Sequence, residues 1–452
     1  MKKPELLCPA KGIDELKTAV VYGADAVYIG GETFSLRAKA KNFTKDEIAE
    51  GIDFAHERGV KVHVTANILA HDRDIEDAYR YFGEMRELKP DAFIIADPGM
   101  FTIAKEVCPE IDRHISTQAN NTNYMTYRFW ADMGAKRVVA ARELSMAELR
   151  DIRERIPASL EMECFIHGSM CISYSGRCLL SNYLTGRDAN RGECTHPCRW
   201  RYRLFAEDRP GADGTDGSEE IDGFALEEET RPGEYFPVFE NERGTYIMNS
   251  RDLCMIEHIP ELIDAGIDSF KIEGRMKTAL YVACVARTYR TAIDDYLESP
   301  DKYRAKLEWY KEEIGKCTTR NFTTGFYFGK PDSDGQIYDN NTYVTDYTYL
   351  GHAEEIGEDG SFILYQKNKF SVGDEIEIMR RSGENTVCTV LSIVNEDGES
   401  QESAPHPGQR IRVMLSSFPE EYDILRSCSE ISDKSGAEQI SKAREQEGVV
   451  AG

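Results

Sequence analysis

The first third of the chain repeats one unit, in which a short run of β-branched and apolar residues precedes an amphipathic helical pattern, and the pattern resumes from residue 250. Strands that alternate with helices predict parallel βαβ units with right-handed crossovers. Eight strands are predicted, the number that closes a (β/α)8 TIM-like barrel of the α/β class. A doubly wound open sheet is the alternative, although no GxGxxG motif follows the first strand. The predicted strands cover residues 5–10, 25–31, 61–67, 91–97, 112–118, 136–142, 159–168 and 268–275.

The remainder of the chain changes character. Helical patterns over residues 250–266 and 277–298 flank the eighth strand. From about residue 322, short alternating segments broken by Gly, Asp and Asn predict a small antiparallel β-barrel. We therefore expect a catalytic domain over 1–320, a C-terminal β-barrel domain over 321–432 and a flexible polar tail over 433–452. Within the catalytic domain we distinguish a cysteine segment at 164–203 and an acidic loop at 206–240.

Four of the twelve cysteines lie between residues 171 and 198 of the cysteine segment, with the spacing C-x6-C-x15-C-x3-C. Four thiolates separated by short spacers suit either an iron–sulfur cluster or a structural zinc ion. Gly, Arg and Ser surround them, which disfavours four unrelated core thiols, and the absence of a C-x2-C pair favours the cluster. The candidate ligands are Cys171, Cys178, Cys194 and Cys198, and Cys254 is a further candidate from outside the segment.

Charge is distributed unevenly along the chain. The net charge of −25 argues against a nucleic-acid partner. However, residues 206–240 hold twelve acidic residues against two arginines, a local charge of −10, whereas residues 170–203 hold six arginines against two acidic residues, a local charge of +4. Basic and aromatic side chains together suit an anionic substrate that carries a base. In the cysteine segment the candidates are Arg177, Arg199, Trp200 and Arg201.

Polar residues end several predicted strands, and the carboxyl ends of barrel strands gather at one face. Arg142 and Arg275, with Arg37, could clamp carboxylates or phosphates. His167 is a candidate proton donor, or a partner of the cysteine site. Each such residue alone is also compatible with an ordinary structural role. We select His167, Glu273 and Arg275 as catalytic candidates. Asn67, Gln118 and Arg142, with Arg37, are the substrate-binding candidates. The full set of polar residues at strand ends is Asn67, Asp97, Gln118, Arg142, His167, Glu273 and Arg275.

Several familiar patterns are missing from the sequence. It contains no HExxH zinc-protease helix, no GxSxG elbow and no P-loop, which weakens a hydrolytic interpretation. Its apolar runs are too short to span a bilayer, and no apolar signal core follows the first residues. We therefore expect a cytoplasmic protein without a membrane partner, whose cysteines are reduced or bound to metal.

Three blocks together resemble the collagenase-like peptidase family: ELLCPAKGIDELKTAVVYGADAVYIGG, HGSMCISYSGRCLLSNYLTGRDANRGECTHPCRW and SFKIEGRMKT. The resemblance covers nearly the whole chain. It implies an iron–sulfur enzyme, because members of this family bind a [4Fe-4S] cluster and hydroxylate RNA bases or a quinone ring. Members that act on tRNA form 5-hydroxyuridine at the wobble position, with prephenate implicated. The resemblance therefore implies a tRNA substrate, prephenate as a dicarboxylate co-substrate, and the four segment cysteines as cluster ligands.

Some alternatives stay open at this point. Quinone-hydroxylating relatives place the fourth ligand further along the chain, so either Cys198 or Cys254 completes the set. A metal-dependent collagenase-like peptidase is the first alternative function. A non-catalytic RNA-binding protein with a structural zinc ion is the second. The sequence does not indicate an oligomeric state.

Overall fold

The structure is a computed structural model. It describes residues 2–36, 42–171, 177–178, 181, 187, 189–191, 193–195, 224–227, 235–241, 244–246, 251–317, 321–329 and 347–428. The predicted tail at 433–452 and most of the acidic loop at 206–240 lie outside these residues, and the domain boundaries near 320 and 432 stay predictions.

Thirteen strands are described in the first part of the chain, and eight of them form a closed parallel barrel. The strands are β1 (Glu5–Pro9), β2 (Ala26–Gly30), β3 (Lys61–Ala66), β4 (Ala92–Ile95), β5 (Asp112–Ile115), β6 (Arg137–Val139), β7 (Glu161–Ser169), β8 (Phe224–Glu227), β9 (Tyr235–Asn241), β10 (Gly244–Tyr246), β11 (Asp252–Cys254), β12 (Ser269–Ile272) and β13 (Phe322–Thr323). Strands β1 to β7 pair in order, and β12 closes the barrel by pairing in parallel with both β7 and β1. The predicted (β/α)8 barrel is confirmed, and all eight predicted strands are present.

Helices follow most barrel strands and bury an apolar face against them. Capping boxes fix two of the starts, at Thr44 with Glu47 and at Ser145 with Glu148. Within the part of the chain that the structure describes, no helix combines the length and apolar character needed to cross a membrane. The helices are α1 (Ile13–Val21), α2 (Lys45–His56), α3 (Ile75–Leu88), α4 (Pro98–Val107), α5 (Tyr124–Met133), α6 (Met146–Arg155), α7 (Ile259–Asp264), α8 (Ala279–Glu298), α9 (Pro300–Ala305) and α10 (Leu307–Gly315).

The interior of the barrel holds a buried ionic network as well as apolar side chains. Glu163 is fully buried and accepts hydrogen bonds from Lys271 Nζ at 2.9 Å and from Arg137 at 3.0 Å. Arg137 also contacts Glu5 at 2.5 Å. Burial would raise the pKa of Glu163, but the charges of Lys271 and Arg137 outweigh it and hold that pKa below its ordinary value. The network is therefore an ionised part of the barrel core.

The predicted helix over residues 250–266 is wrong in its first half. Residues 252–254 form β11, which pairs antiparallel with β7, and the helix α7 begins only at Ile259. The physical reason is that β7 is nine residues long whereas β6 is only three, so the end of β7 has an open edge. Strand β11 occupies that edge and satisfies its backbone hydrogen bonds.

The C-terminal strands form a second, antiparallel barrel of six strands, as predicted. Its apolar core includes Leu350, Phe362, Ile378 and Val413. The closed pairing runs through β17, β22, β14, β15, β21 and β18 and returns to β17. The strands of this part are β14 (Tyr347–Glu354), β15 (Phe362–Tyr365), β16 (Phe370–Ser371), β17 (Glu375–Met379), β18 (Thr386–Val394), β19 (Ser400–Gln401), β20 (Ser403–Ala404), β21 (Arg410–Leu415) and β22 (Ile424–Cys428).

The two barrels meet through buried polar contacts. Tyr22, at the end of α1, donates to the carbonyl of Met379 at 2.8 Å and accepts from the amide of Ile424 at 3.0 Å. On the other side, the fully buried Arg426 bonds Glu377 at 2.8 Å and reaches Glu313 at 3.4 Å. These directional contacts fix the small barrel against helices α1 and α10.

Candidate functional site

The carboxyl ends of the barrel strands form what we call the barrel rim, and five of the predicted site residues follow them: Asn67, Gln118, Arg142, Glu273 and Arg275. Asn67 follows β3, accepts a hydrogen bond from the Leu36 amide at 3.2 Å and lies 3.5 Å from Ser116 Oγ. Gln118 follows β5, and its buried side-chain oxygen has no hydrogen-bond partner among the described residues. The rim therefore presents amide groups after β3 and after β5, the two strands on either side of β4.

Arg275 lies just after β12 and is only 5% exposed. Its guanidinium donates to Ser35 Oγ at 2.7 Å, to Thr65 Oγ1 at 3.3 Å and to Asn42 Oδ1 at 3.0 Å. A Cβ at Gly30 would clash with this guanidinium and with Ser35 Oγ, so any larger residue at that position would displace Arg275. The connection between β2 and α2, together with strand β3, thus orients Arg275 at the rim.

Arg142 lies after β6 and covers Phe165. Its guanidinium carbon lies 3.7 Å from the centre of the Phe165 ring, and one of its nitrogens lies 3.4 Å from Glu273 Oε2. Phe165 also lies 5.6 Å from Lys271 Nζ, so the rim is connected to the ionic network below it. Gly168, at φ +106°, brings β7 close to the backbone of Glu273. Arg142 and Glu273 therefore form a half-buried ion pair at the rim.

His167 is buried inside β7 among the rings of Tyr281, Tyr289 and Phe322. Its Nδ1 lies 3.4 Å from the Tyr289 hydroxyl, and its Nε2 has no partner among the residues described. Burial, with a smaller contribution from the charge of Lys277, lowers the pKa of His167 to about 3. The imidazole is therefore neutral at physiological pH, and its predicted catalytic role stays a prediction.

The cysteine segment leaves β7 at the rim. Cys171 is exposed two residues after the strand, and Cys178 and Cys194 are half-buried. Asn190 Nδ2 donates to the carbonyl of Cys178 at 3.2 Å, which ties two parts of the segment together. Arg177 is exposed beside Cys178. The predicted residues Arg37, Cys198, Arg199, Trp200 and Arg201 lie outside the described residues.

A metal cage is not formed by the described side chains. Among them, no group of three or more His, Cys, Asp and Glu residues is arranged to hold a metal ion. The thiol donors themselves suit an iron–sulfur cluster, and one of the predicted ligands, Cys198, is outside the described residues. The cysteine site therefore stays a prediction.

The alternative ligand Cys254 lies on β11, in register with His167 on β7. Its Sγ is 3.8 Å from the Tyr289 hydroxyl, and burial raises the pKa of its thiol to about 11. It is thus a protonated, half-buried thiol beside the cysteine segment.

The predicted strand-end residue Asp97 has a structural role. It caps α4 by accepting hydrogen bonds from the amides of Gly99 and Met100.

Reasoning from the sequence missed the residues that orient the arginines of the rim. Ser35, Asn42 and Thr65 hold Arg275, and Phe165 supports Arg142. The pair Gly30–Gly31 at the end of β2 was an available signal for a close approach of another group. Phe165 gave no such signal, because a phenylalanine within a strand is typical of an ordinary core position.

Comparisons with known proteins agree with this architecture. The model of "Peptidase family U32" matches residues 11–337, and the model of its C-terminal domain matches residues 345–426. A Bacillus subtilis relative named "tRNA hydroxylation protein P1" is 40% identical over 415 residues, which cover 92% of each chain. The Escherichia coli "tRNA hydroxylation protein P" is 38% identical over 431 residues, covering 91% of this chain and 93% of that protein.

A third relative is named for a different RNA. The Escherichia coli "23S rRNA 5-hydroxycytidine C2501 synthase" is 36% identical over 294 residues, which cover 65% of this chain and 40% of that protein. The family matches span both barrels, and they confirm the resemblance inferred from the cysteine segment and the flanking blocks. The chain therefore belongs to peptidase family U32, the collagenase-like peptidases.

Proposed function

We propose that the protein hydroxylates a uridine of tRNA at the wobble position, forming 5-hydroxyuridine. The observation that carries this proposal is the similarity over about nine-tenths of the chain to two proteins named for tRNA hydroxylation. A third relative, named for 5-hydroxycytidine in ribosomal RNA, supports hydroxylation of an RNA pyrimidine as the shared chemistry. The choice of uridine and of the wobble position is part of the proposal.

We further propose that the cysteine segment holds a [4Fe-4S] cluster. The proposed ligands are Cys171, Cys178 and Cys194, with either Cys198 or Cys254 as the fourth. Thiolates are the usual ligands of such clusters, and the described part of the segment lies at the barrel rim. When bound, the cluster would supply one-electron chemistry or an iron site. Zinc in the same cage would instead support the second alternative, a non-catalytic RNA-binding protein.

The arginines of the rim are the proposed receptor for prephenate, a dicarboxylate. Arg275 is held by neutral hydroxyl and amide oxygens, and Arg142 is held flat on Phe165. Planar guanidinium groups recognise carboxylates through paired hydrogen bonds. Glu273, next to Arg142, would accept a proton released at the rim. Arg37 is proposed as a third clamp residue, and Asn67 and Gln118 as hydrogen-bonding partners of the substrate.

The tRNA would approach across the cysteine segment, where the local charge is +4 in a chain of net charge −25. An enzyme that acts on a pyrimidine base must unstack it and hold it against an aromatic or guanidinium plane. Arg177, Arg199, Trp200 and Arg201 are the proposed contacts for that base and its phosphates.

The second candidate function is peptide hydrolysis, which only the names of the family and of one archaeal relative favour. Two measurements separate the candidates. Mass spectrometry of tRNA nucleosides from a strain that lacks the protein should show the loss of wobble hydroxyuridine derivatives, and unchanged levels would refute the proposal. Anaerobically purified protein should be brown with about four iron atoms per chain, whereas colourless protein with stoichiometric zinc would refute the cluster.

A further inference from the structure

A short helical turn at residues 189–191 of the cysteine segment lies against the loop between β3 and α3. The amide of Leu69 donates to the carbonyl of Asn190 at 3.2 Å. In return, the guanidinium of Arg191 donates to the carbonyl of Leu69 at 3.2 Å. Backbone and side chain therefore join the cysteine segment to a loop that begins at the barrel rim.

Arg191 also forms a two-pronged ion pair with Asp74, the residue that precedes α3. Its two terminal nitrogens reach the two carboxylate oxygens at 2.8 and 3.2 Å. The carboxylate is oriented independently, because it accepts the His71 amide at 2.8 Å. The hydrogen bonds from Arg191 hold the pKa of Asp74 below its ordinary value, so the pair stays charged at neutral pH.

The turn also contacts the part of the cysteine segment that contains the proposed ligand Cys178. Asn190 Nδ2 donates to the carbonyl of Cys178 at 3.2 Å. The amide of Thr195, next to Cys194, donates to Ser181 Oγ at 3.1 Å, which joins the two halves of the segment. A restraint on the turn is therefore passed through hydrogen bonds to the backbone of Cys178.

We propose that Asp74 is a positioning residue, which holds the cysteine segment on the barrel rim through Arg191 and Asn190. Neither its sequence context nor the predicted site residues point to this role, because Asp74 lies 117 residues before Arg191. The inference rests on the proposed function in one respect, namely that the segment carries the cluster. Without the Asp74 carboxylate the turn opens more often, and the backbone of Cys178 is held less firmly by Asn190.

The test compares three variants of the full-length protein by hydrogen–deuterium exchange with mass spectrometry. Asp74→Asn removes the charge, and Asp74→Glu keeps it. Asp77→Asn is the matched control, because Asp77 lies nearby on α3 and pairs only with Arg80, at 3.0 Å, among the contacts described. We expect peptides covering residues 187–195 to exchange about tenfold faster in Asp74→Asn, the size expected for the loss of one partly exposed ionic contact. Asp74→Glu should remain within about twofold of the wild type, since it can re-form the pair.

A second measurement follows the visible absorbance of the anaerobically purified proteins during exposure to a chelator. Asp74→Asn should lose its absorbance several times faster than the wild type, the control and Asp74→Glu. Unchanged exchange in Asp74→Asn would overturn the inference, and so would faster exchange with unchanged absorbance loss. If the wild-type protein holds no iron, the cluster proposal fails, and the exchange data still decide whether Asp74 holds the segment. If Asp74→Asn does not fold, Arg191→Lys, which loses one prong, is measured in its place.

Discussion

Replacing Glu163 by glutamine tests whether the ionic network inside the barrel stabilises the folded protein. Glu163 is fully buried, with Lys271 at 2.9 Å on one oxygen and Arg137 and Ser269 at 3.0 and 3.1 Å on the other. Glutamine keeps the shape but removes the charge, and its amide NH2 would face a cation. Leaving a buried charge without its partner costs about 3–5 kcal/mol. We therefore expect the melting temperature of Glu163→Gln to fall by about 6–10 °C, at about 2 °C per kcal/mol.

The assay is thermal unfolding followed by circular dichroism, with Asp151→Asn as the control. Asp151 pairs with Arg155 at 2.6 Å on the surface of α6, and its loss should move the melting temperature by no more than about 2 °C. Adding Lys271→Met to Glu163→Gln should recover about 1–2 kcal/mol, because it removes the ammonium group left without its carboxylate. Equal melting temperatures for Glu163→Gln and the control would refute the reasoning.

Three further predictions concern the rim and the cysteine segment. The folded pKa of His167, about 3, lies below the unfolded value near 6.5, so the protein should lose about 2 kcal/mol through this residue between pH 7.5 and pH 5. In urea unfolding, His167→Gln should lack this loss, and identical pH dependence would contradict the burial effect. Arg142→Lys keeps the charge but removes the planar guanidinium, so the KM for prephenate should rise about tenfold with little change in melting temperature. An unchanged KM would show that Arg142 does not bind prephenate. Replacement of Cys178 by serine should abolish the bound iron. The fourth ligand is whichever of Cys198 and Cys254 costs the protein its iron when it is replaced by serine. If both of these single variants keep their iron, neither residue alone completes the ligand set.

The barrel could be predicted because its strands are local features of the sequence. Each strand is a short apolar run bounded by turn residues, and eight is the number of strands that closes a barrel. The pairing of β12 with β7 excludes the open sheet that the sequence left as an alternative. The positions of Asn67, Gln118, Arg142 and Arg275 follow from the same pattern, because each lies just after a strand. These parts of the site required no knowledge of distant contacts.

Other parts could not be predicted, because they depend on pairing between distant segments. Strand β11 exists only because β7 extends beyond β6, so the helical spacing of residues 250–266 was misleading at its start. His167 was expected at the end of a strand, but β7 continues to Ser169, which leaves the imidazole buried among aromatic rings. The contact between Asp74 and Arg191 crosses more than a hundred residues and has no local signal.

The central claim is that this chain hydroxylates the wobble uridine through the cysteine segment at the barrel rim. The most direct measurement is mass spectrometry of anticodon fragments from a strain that lacks the protein and any homologue, complemented with the wild type or with Cys178→Ser. We predict hydroxyuridine at the wobble position with the wild-type protein and unmodified uridine with Cys178→Ser, at equal protein levels. Equal amounts of hydroxyuridine in both strains, or none with the wild-type protein, would contradict the claim.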